Sequence, residues 1–282
     1  MGVSDRAQDT DWLDICRQAT DALRAILADR PTTAERVLEV GTLGEGGDRT
    51  LEIDAAAEEA VFQQLERLHD DGLRFTAVSE ERGEIDFGNP ETIVVVDPID
   101  GSVNAKRGLP HHAISIAVAN GGTMADVFFG YVYDFGPGEE WIARRGQGAW
   151  LNRRRLSRDA GERRGHDGRL ELLGIESADP RWVRESADTL AESAYRLRAL
   201  GTMASTLCQV AAARLDGMVS LRRCRAVDVA AAQLIVREGG GLVAFPACDD
   251  PLGAPLDLPP RSPVVAARTE ATLAELARVP TM

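Results

Sequence analysis

The sequence predicts a layered α+β fold in which sheets and helices cover one another, not a helical bundle or a β-sandwich. Three observations predict it. The chain has 282 residues, 44% of them hydrophobic, enough core for one large domain or two modest ones. Short apolar runs rich in β-branched residues alternate with stretches whose apolar residues recur at helical spacing. Glycine, proline and polar clusters separate these runs.

Residues 11–28 open as an amphipathic helix, because Trp12, Cys16, Ala19, Leu23, Ile26 and Leu27 share a face and Pro31 follows. "VGTLGEGGDRT" (40–50) reads as a Gly-rich loop. A second helix covers about 52–70 and stops at Gly72. Strands are expected at 74–78, 92–97, 113–119, 126–133 and 140–144, with "RRGQGAWLN" (144–152) as a tight turn. The polar segment "SRDAGERRGHDGR" (157–169) breaks the pattern and sets a boundary. It divides an N-terminal α+β half, 1–156, from a C-terminal α/β half, 157–282. In the second half, strands near 170–174, 195–199, 216–219, 241–244 and 263–267 alternate with helices near 180–191, 202–214, 228–239 and 269–278. "DDPLGAPLDLPPRSP" (249–263) is a Pro-rich surface connection.

No apolar run reaches the ~18 residues a membrane span needs. The N-terminus is polar and acidic, unlike a signal peptide. Cys16, Cys208, Cys224 and Cys248 lie far apart with no CxxC pair, so reduced thiols and a cytoplasmic location are expected. The net charge of −13 argues against nucleic acid and anionic membranes as partners. Lys106 is the only lysine; gene composition and a salt-rich cytoplasm are both open explanations.

The chemistry concentrates in "IVVVDPIDGSVNAKRGLP" (93–110). "IVVV" has the length and composition of a buried strand, and Asp97 and Asp100 stand at its carboxyl end, where open α/β sheets place ligands. Pro98 restricts Asp97 to extended geometry. Both carboxylates and the Ile99 carbonyl are hard oxygen donors, suited to Mg²⁺ rather than zinc. The bland reading is an ordinary turn. "AVSEERG" (77–83) is a second apolar strand ending in acids, Glu80 and Glu81. Asp54 lies on the apolar stripe of its helix with Ala57, Val61 and Leu65, and is either a ligand or a helix cap; Glu58 and Glu59 are assigned to solvent. Asp228 opens another helix on the apolar face of Ala231, Ala232 and Ile235, where capping alone would explain it.

Together "TLEIDAAAE", "VSEERG", "VVVDPIDGSVNA", "LGTMASTLCQVAAARLDG" and "VDVAAAQLIVREGGG" resemble, in order over about residues 50–241, the inositol monophosphatase superfamily, which includes fructose-1,6-bisphosphatases and nucleotide phosphatases. The resemblance implies a layered α-β-α-β-α sandwich, the sugar phosphatase fold, a homodimer, and Mg²⁺-dependent hydrolysis of a small sugar or inositol phosphate. It implies that Glu80, Asp97 and the Ile99 carbonyl hold a first Mg²⁺ and that Asp97, Asp100 and Asp228 hold a second. Ser102 and Asp54 would form the hydroxyl–carboxylate pair that orients the attacking water. The Gly101 and Ser102 amides would grip the phosphate, and Gly201, Thr202, Met203 and Ala204 match the segment that touches the polyol.

Two departures matter. Val227 stands where many members have Trp, and "VSLRRCRAV" (219–227) carries Arg222, Arg223 and Arg225 where inositol phosphatases place a Glu. "GSVNAKRGLP" and "VSLRRCRAVDVAAA" look most like the archaeal-type branch, whose members accept inositol monophosphate and fructose 1,6-bisphosphate. The arginines are ordinarily solvated; the sharper reading has one of them, Arg222 foremost, meet the second phosphate of a bisphosphate. Loop 40–50 is a plain surface loop or a lid carrying Glu45 or Asp48 toward a third metal. His111 and His112 are assigned structural or surface roles.

Three rivals stay open. A DxDGT phosphatase with an aspartate nucleophile conflicts with the DxxDG spacing here. Within the superfamily, the substrate could be 3′-phosphoadenosine 5′-phosphate. A non-catalytic cation- or polyol-binding protein would keep the acids without turnover.

Overall fold

The structure, a computed structural model, describes residues 7–8, 10–36, 39–43 and 49–282. The first layer is helical. α1 (Trp12–Asp29) starts after Asp11, whose carboxylate accepts the Asp14 amide, and it buries Trp12, Cys16, Ala19, Leu23 and Leu27. A single turn, α2 (Thr33–Arg36), and an antiparallel pair, β1 (Glu39–Leu43) and β2 (Arg49–Leu51), lead into α3 (Glu52–Asp70). The glycines of 40–50 predict a loop; the structure pairs the ends of that stretch as a hairpin, while Glu45 and Asp48 lie outside the described residues.

The second layer is an eight-stranded sheet. Its strands are β3 (Thr76–Ser79), β4 (Gly83–Asp86), β5 (Thr92–Asp100), β6 (Ala113–Asn120), β7 (Val127–Asp134), β8 (Glu139–Arg144), β9 (Gly148–Leu151) and β10 (Arg154–Arg155). They lie in the order β10-β9-β8-β7-β6-β5-β3-β4. β3 and β5 are parallel neighbours, and the remaining neighbours are antiparallel. Val94 and Val96 face the cluster that holds α1 and α3, and Val95 faces the opposite one. Burial on both faces is why β5 reads as continuous apolar sequence rather than an alternation. The tight turn predicted over 144–152 is shorter than that: Arg144 already pairs with Gly148, and β9 starts there. β4 escapes sequence reasoning because "GEID" alternates only weakly.

The second half supplies β11 (Leu173–Glu176), α5 (Pro180–Ser193), β12 (Leu197–Arg198), α6 (Met203–Ala211), β13 (Gly217–Ser220), α7 (Ala226–Glu238), β14 (Leu242–Ala244), β15 (Val265–Ala267) and α8 (Glu270–Leu276). Its five strands form a sheet in the order β12-β11-β13-β15-β14. The strand predicted at 170–174 lies slightly later, which brings Glu176 into it.

α6 and α7 lie between the two sheets. Their Leu207, Leu234 and Ile235 share one apolar cluster with Val95, Ala117 and Trp141 of the large sheet and with Met218 and Ala266 of the small one. α7 approaches β7 so closely that a Cβ on Gly130 would stand 2.6 Å from the Ala231 carbonyl oxygen, so only glycine fits there. On the far side, Ile175, Val219 and Val265 pack with Leu190 of α5 and Leu276 of α8. The layers therefore run α-β-α-β-α, as the sequence resemblance implies. Among the described residues no helix is long and apolar enough to cross a membrane.

Candidate active site

The site grows out of two strand ends. β3 and β5 run parallel with Ser79 opposite Val96, so Glu80, the first residue past the end of β3, comes beside Asp97 of β5. On the other side of β5, Asp97 pairs with Ser115 and Asp100 with Ala113. Three steps along β5 thus match two along β6, and the bulge turns Asp97 and Asp100 to one face of the strand. The Asp97 carboxylate folds back to accept the Ile99 amide at 3.0 Å.

α4 (Ser102–Arg107) begins at once, with Gly101 before it at φ +89°. A Cβ on Gly101 would meet the Gly201 carbonyl oxygen at 3.0 Å and that of His111 at 3.1 Å, so the turn needs glycine for both conformation and space. The Ser102 hydroxyl donates to the Ile99 carbonyl at 3.0 Å. Asp54, in the first turn of α3, is buried, and it lines a small cavity of about 10 Å³ together with Glu80, Glu81, Asp97, Ile99 and Ser102. That space matches one water or bare ion and nothing larger.

Asp228 arrives from the opposite layer. It sits in the first turn of α7 and accepts the Arg225 amide at 2.8 Å. The capping role expected for it is therefore real, and its other oxygen accepts Arg225 Nη2 at 3.1 Å. Arg225 Nη1 donates to Glu80 Oε1 at 2.7 Å. The expectation of a solvated Arg225 is thus overturned: its guanidinium bridges two acids of the site.

The electrostatics describe a crowded anion cluster. Burial raises Asp97 well above the carboxylate range, and Glu80, Asp100 and Asp228 push it further. Burial also raises Glu80, with Arg225 opposing and Asp228 adding to the rise. Asp100 is pushed up to about 8, first by burial and then by Asp228, while the Thr202 hydroxyl and Ala204 amide work the other way. Burial alone would lower the pKa of Arg225, yet Asp228, Glu80 and Asp97 outweigh it and hold the group charged.

As the side chains stand, no group of three His, Cys, Asp or Glu among the described residues is disposed to hold a metal. Arg225 lies on two of these acids, Glu80 and Asp228. The donor set itself fits a hard divalent cation: mutually repelling buried carboxylates, a backbone carbonyl, and neither thiolate nor imidazole.

Beyond the acids a cleft of about 900 Å³ opens between the two halves of the chain. Asp100 and Asp228 form part of its wall with Gly201, Thr202, Met203 and Arg222, so the acids and most of the predicted substrate segment share one space. Arg222 is exposed. Ala204 does not line the cleft: it is fully buried, and its amide donates to Asp100 Oδ2 at 2.7 Å.

Three residues of the site were not singled out by sequence, or were assigned otherwise. Glu176, at the end of β11, accepts the Leu200 amide at 2.9 Å and the Thr206 hydroxyl at 2.6 Å, and also takes the Gly201 amide. It anchors the substrate segment from beneath. The available signal was its position, an acid closing an apolar strand as Glu80 does. Asn104 Nδ2 donates to the Leu200 carbonyl at 2.7 Å and the His111 carbonyl at 2.8 Å, joining α4 to that segment. Glu58, assigned to solvent, is instead buried under β3, where it accepts the Ser79 hydroxyl. It lies one helical turn after Asp54, which was the missed clue. Glu59 is exposed as expected and pairs with Arg82. His111 bonds Asp134 at 3.0 Å and His112 stacks on Phe135, the structural roles expected of them.

Comparison with known proteins gives a consistent result. The inositol monophosphatase family model matches residues 10–280. A fructose-1,6-bisphosphatase/inositol-1-monophosphatase of Methanothermobacter thermautotrophicus is 35% identical over 216 residues, 73% of this chain and 74% of that one. A Nus factor SuhB of Pasteurella multocida is 34% identical over 205 residues, covering 72% and 73% of the two chains. A solved inositol monophosphatase–fructose 1,6-bisphosphatase superposes with a TM-score of 0.80 at 26% identity, over 96% of this chain and 100% of the other.

Proposed function

We propose that this chain, which belongs to the inositol monophosphatase family, is a Mg²⁺-dependent phosphomonoesterase acting on inositol monophosphate, fructose 1,6-bisphosphate or both. The family places it among phosphatases of small phosphorylated substrates. One observation supports the finer reading: Glu80 and Asp97 come together where β3 ends beside β5, Asp100 and Asp228 are near enough to repel Asp97, and these last two acids line an arginine-bearing cleft.

Glu80, Asp97 and the Ile99 carbonyl would hold one Mg²⁺, and Asp97, Asp100 and Asp228 a second. When bound, the pair supplies Lewis acidity to the phosphoryl group and to the oxygens entering and leaving it. The rest falls to the chain. Asp54 takes the proton of the attacking water, with Ser102 orienting that water, as general-base catalysis requires a carboxylate within reach of the nucleophile. The Gly101 and Ser102 amides bind phosphate oxygens. Gly201, Thr202 and Met203 contact the polyol. Arg222 lines the cleft, its guanidinium 5.9 Å from the centre of the Trp182 ring, and its fork of N–H donors suits the second phosphate of a bisphosphate. The sequence resemblance supports a homodimer, and widely spaced free cysteines suit a reducing cytoplasm.

The test is phosphate release with Mg²⁺ from inositol 1-phosphate, fructose 1,6-bisphosphate and 3′-phosphoadenosine 5′-phosphate in parallel. Turnover of either sugar substrate above the nucleotide supports the reading. Preference for the nucleotide reassigns the substrate, and no release from any of them leaves a cation- or polyol-binding protein.

A further inference from the structure

We propose that Arg225 is a built-in cation that closes the acid site in the metal-free chain and must leave it before metal can enter. The inference rests on the metal-binding reading above and concerns a residue to which that reading gives no role.

Its guanidinium spends two N–H groups on acids from different layers, Glu80 at 2.7 Å and Asp228 at 3.1 Å. Those partners belong to the two ion sets named above, Glu80 to the first and Asp228 to the second. One guanidinium therefore occupies oxygens that both ions require. With it in place, no three acids among the described residues are disposed to hold a metal. A planar fork of fixed N–H directions ties two carboxylates at a spacing that suits itself, not a compact ion.

Departure is mechanically simple. The Arg225 backbone amide holds Asp228 Oδ2 at 2.8 Å independently of the side chain, so the start of α7 survives when the guanidinium moves. Arg225 also lines the cleft of about 900 Å³, which gives the released group open space to turn into. The charge count favours the exchange: the guanidinium brings one positive charge to Glu80 and Asp228, whereas each divalent cation brings two. Arg225 and metal thus compete for the same oxygens, and the structure stores a cost against metal binding in exchange for metal-free stability.

The experiment measures Mg²⁺ binding by calorimetry on the full chain without substrate, for wild type, Arg225→Gln and Arg225→Lys, with metal-free melting temperatures alongside. Arg225→Gln should bind Mg²⁺ about tenfold more tightly and melt lower without metal, the gap closing at saturating Mg²⁺. Arg225→Lys, a point charge unable to bridge both acids, should fall between. The Arg225 side-chain N–H resonances of the wild type should shift and lose protection as Mg²⁺ is added, a readout that survives if a variant misfolds. Equal or weaker affinity in Arg225→Gln, or unmoved resonances at saturation, overturns the displacement while leaving the metal reading intact. Absence of Mg²⁺ binding in all three proteins removes both.

Discussion

The Asp100 carboxylate accepts the Ala204 amide at 2.7 Å, tying the exit of β5 to the start of α6 across 104 residues of sequence. The Thr202 hydroxyl donates to the same oxygen. One strand end in the first half is thus aimed by a helix start in the second, and the cleft between them acquires a fixed acidic floor.

Replacing Asp97 or Asp100 with Asn should lower Mg²⁺-dependent phosphate release by at least about 10²-fold, the scale on which a lost charge-stabilising group acts. Circular dichroism should stay native. Metal-free melting temperatures should hold or rise, because Asn removes the cost of burying a carboxyl whose pKa the fold raises. Near-normal turnover in either variant would separate these acids from the chemistry.

Glu58 gives the metal-free protein a pH-dependent stability. Burial is the main cause that raises its pKa from 4.5 to about 7, with the Ser79 hydroxyl and Arg82 opposing. A carboxyl raised in the folded state contributes stability that is fully present below its unfolded pKa and is lost as pH rises through the folded one. The melting temperature should therefore fall between about pH 4.5 and pH 7 and level off beyond. Glu58→Gln should remove about 3 kcal/mol of that slope. An unchanged pH profile in the variant would place the dependence elsewhere.

Glu176→Ala should leave the Leu200 and Gly201 amides and the Thr206 hydroxyl without their acceptor. A stability loss of about 3 kcal/mol follows from such unpaired groups, read by urea denaturation. Since two of these donors lie in or beside the segment proposed to contact the polyol, KM should rise more than kcat falls. A fall in kcat alone would show that Glu176 acts on the chemistry and not on substrate placement.

Gly101→Ala and Gly108→Ala form a matched pair. Both positions have positive φ, but a new Cβ at Gly101 meets the Gly201 carbonyl oxygen at 3.0 Å, whereas at Gly108 nothing lies within 4 Å. Each should cost about 1–2 kcal/mol for conformation, and only Gly101→Ala should also strongly reduce phosphate release. Equal activity losses would mean that conformation at α4, not the contact with Gly201, governs the site.

Much of this was legible in the chain itself. The apolar run before Asp97 announced a strand buried on both faces, and the acids at strand exits and helix starts marked the site. Helical spacing located α1 and α3 to within a residue or so. Other features were not legible. Glu58 looks like a surface acid until β3 brings Ser79 over it. Arg225 looks solvated because Glu80, its partner, stands 145 residues away. The hairpin at β1 and β2 hid behind glycines that locally favour a loop.

The sequence by itself determined that sheets and helices are layered, most of the strands and helices along the chain, and which acids stand at their ends. Alternation, capping and turn chemistry act between residues a few positions apart, so a string of letters suffices to express them. Only the tertiary structure decided that a bulge falls between Asp97 and Asp100, that Glu176 holds the Leu200 and Gly201 amides, and that Arg225 lies across Glu80 and Asp228. Those outcomes depend on register and on charge acting through space, where chain separation carries no weight.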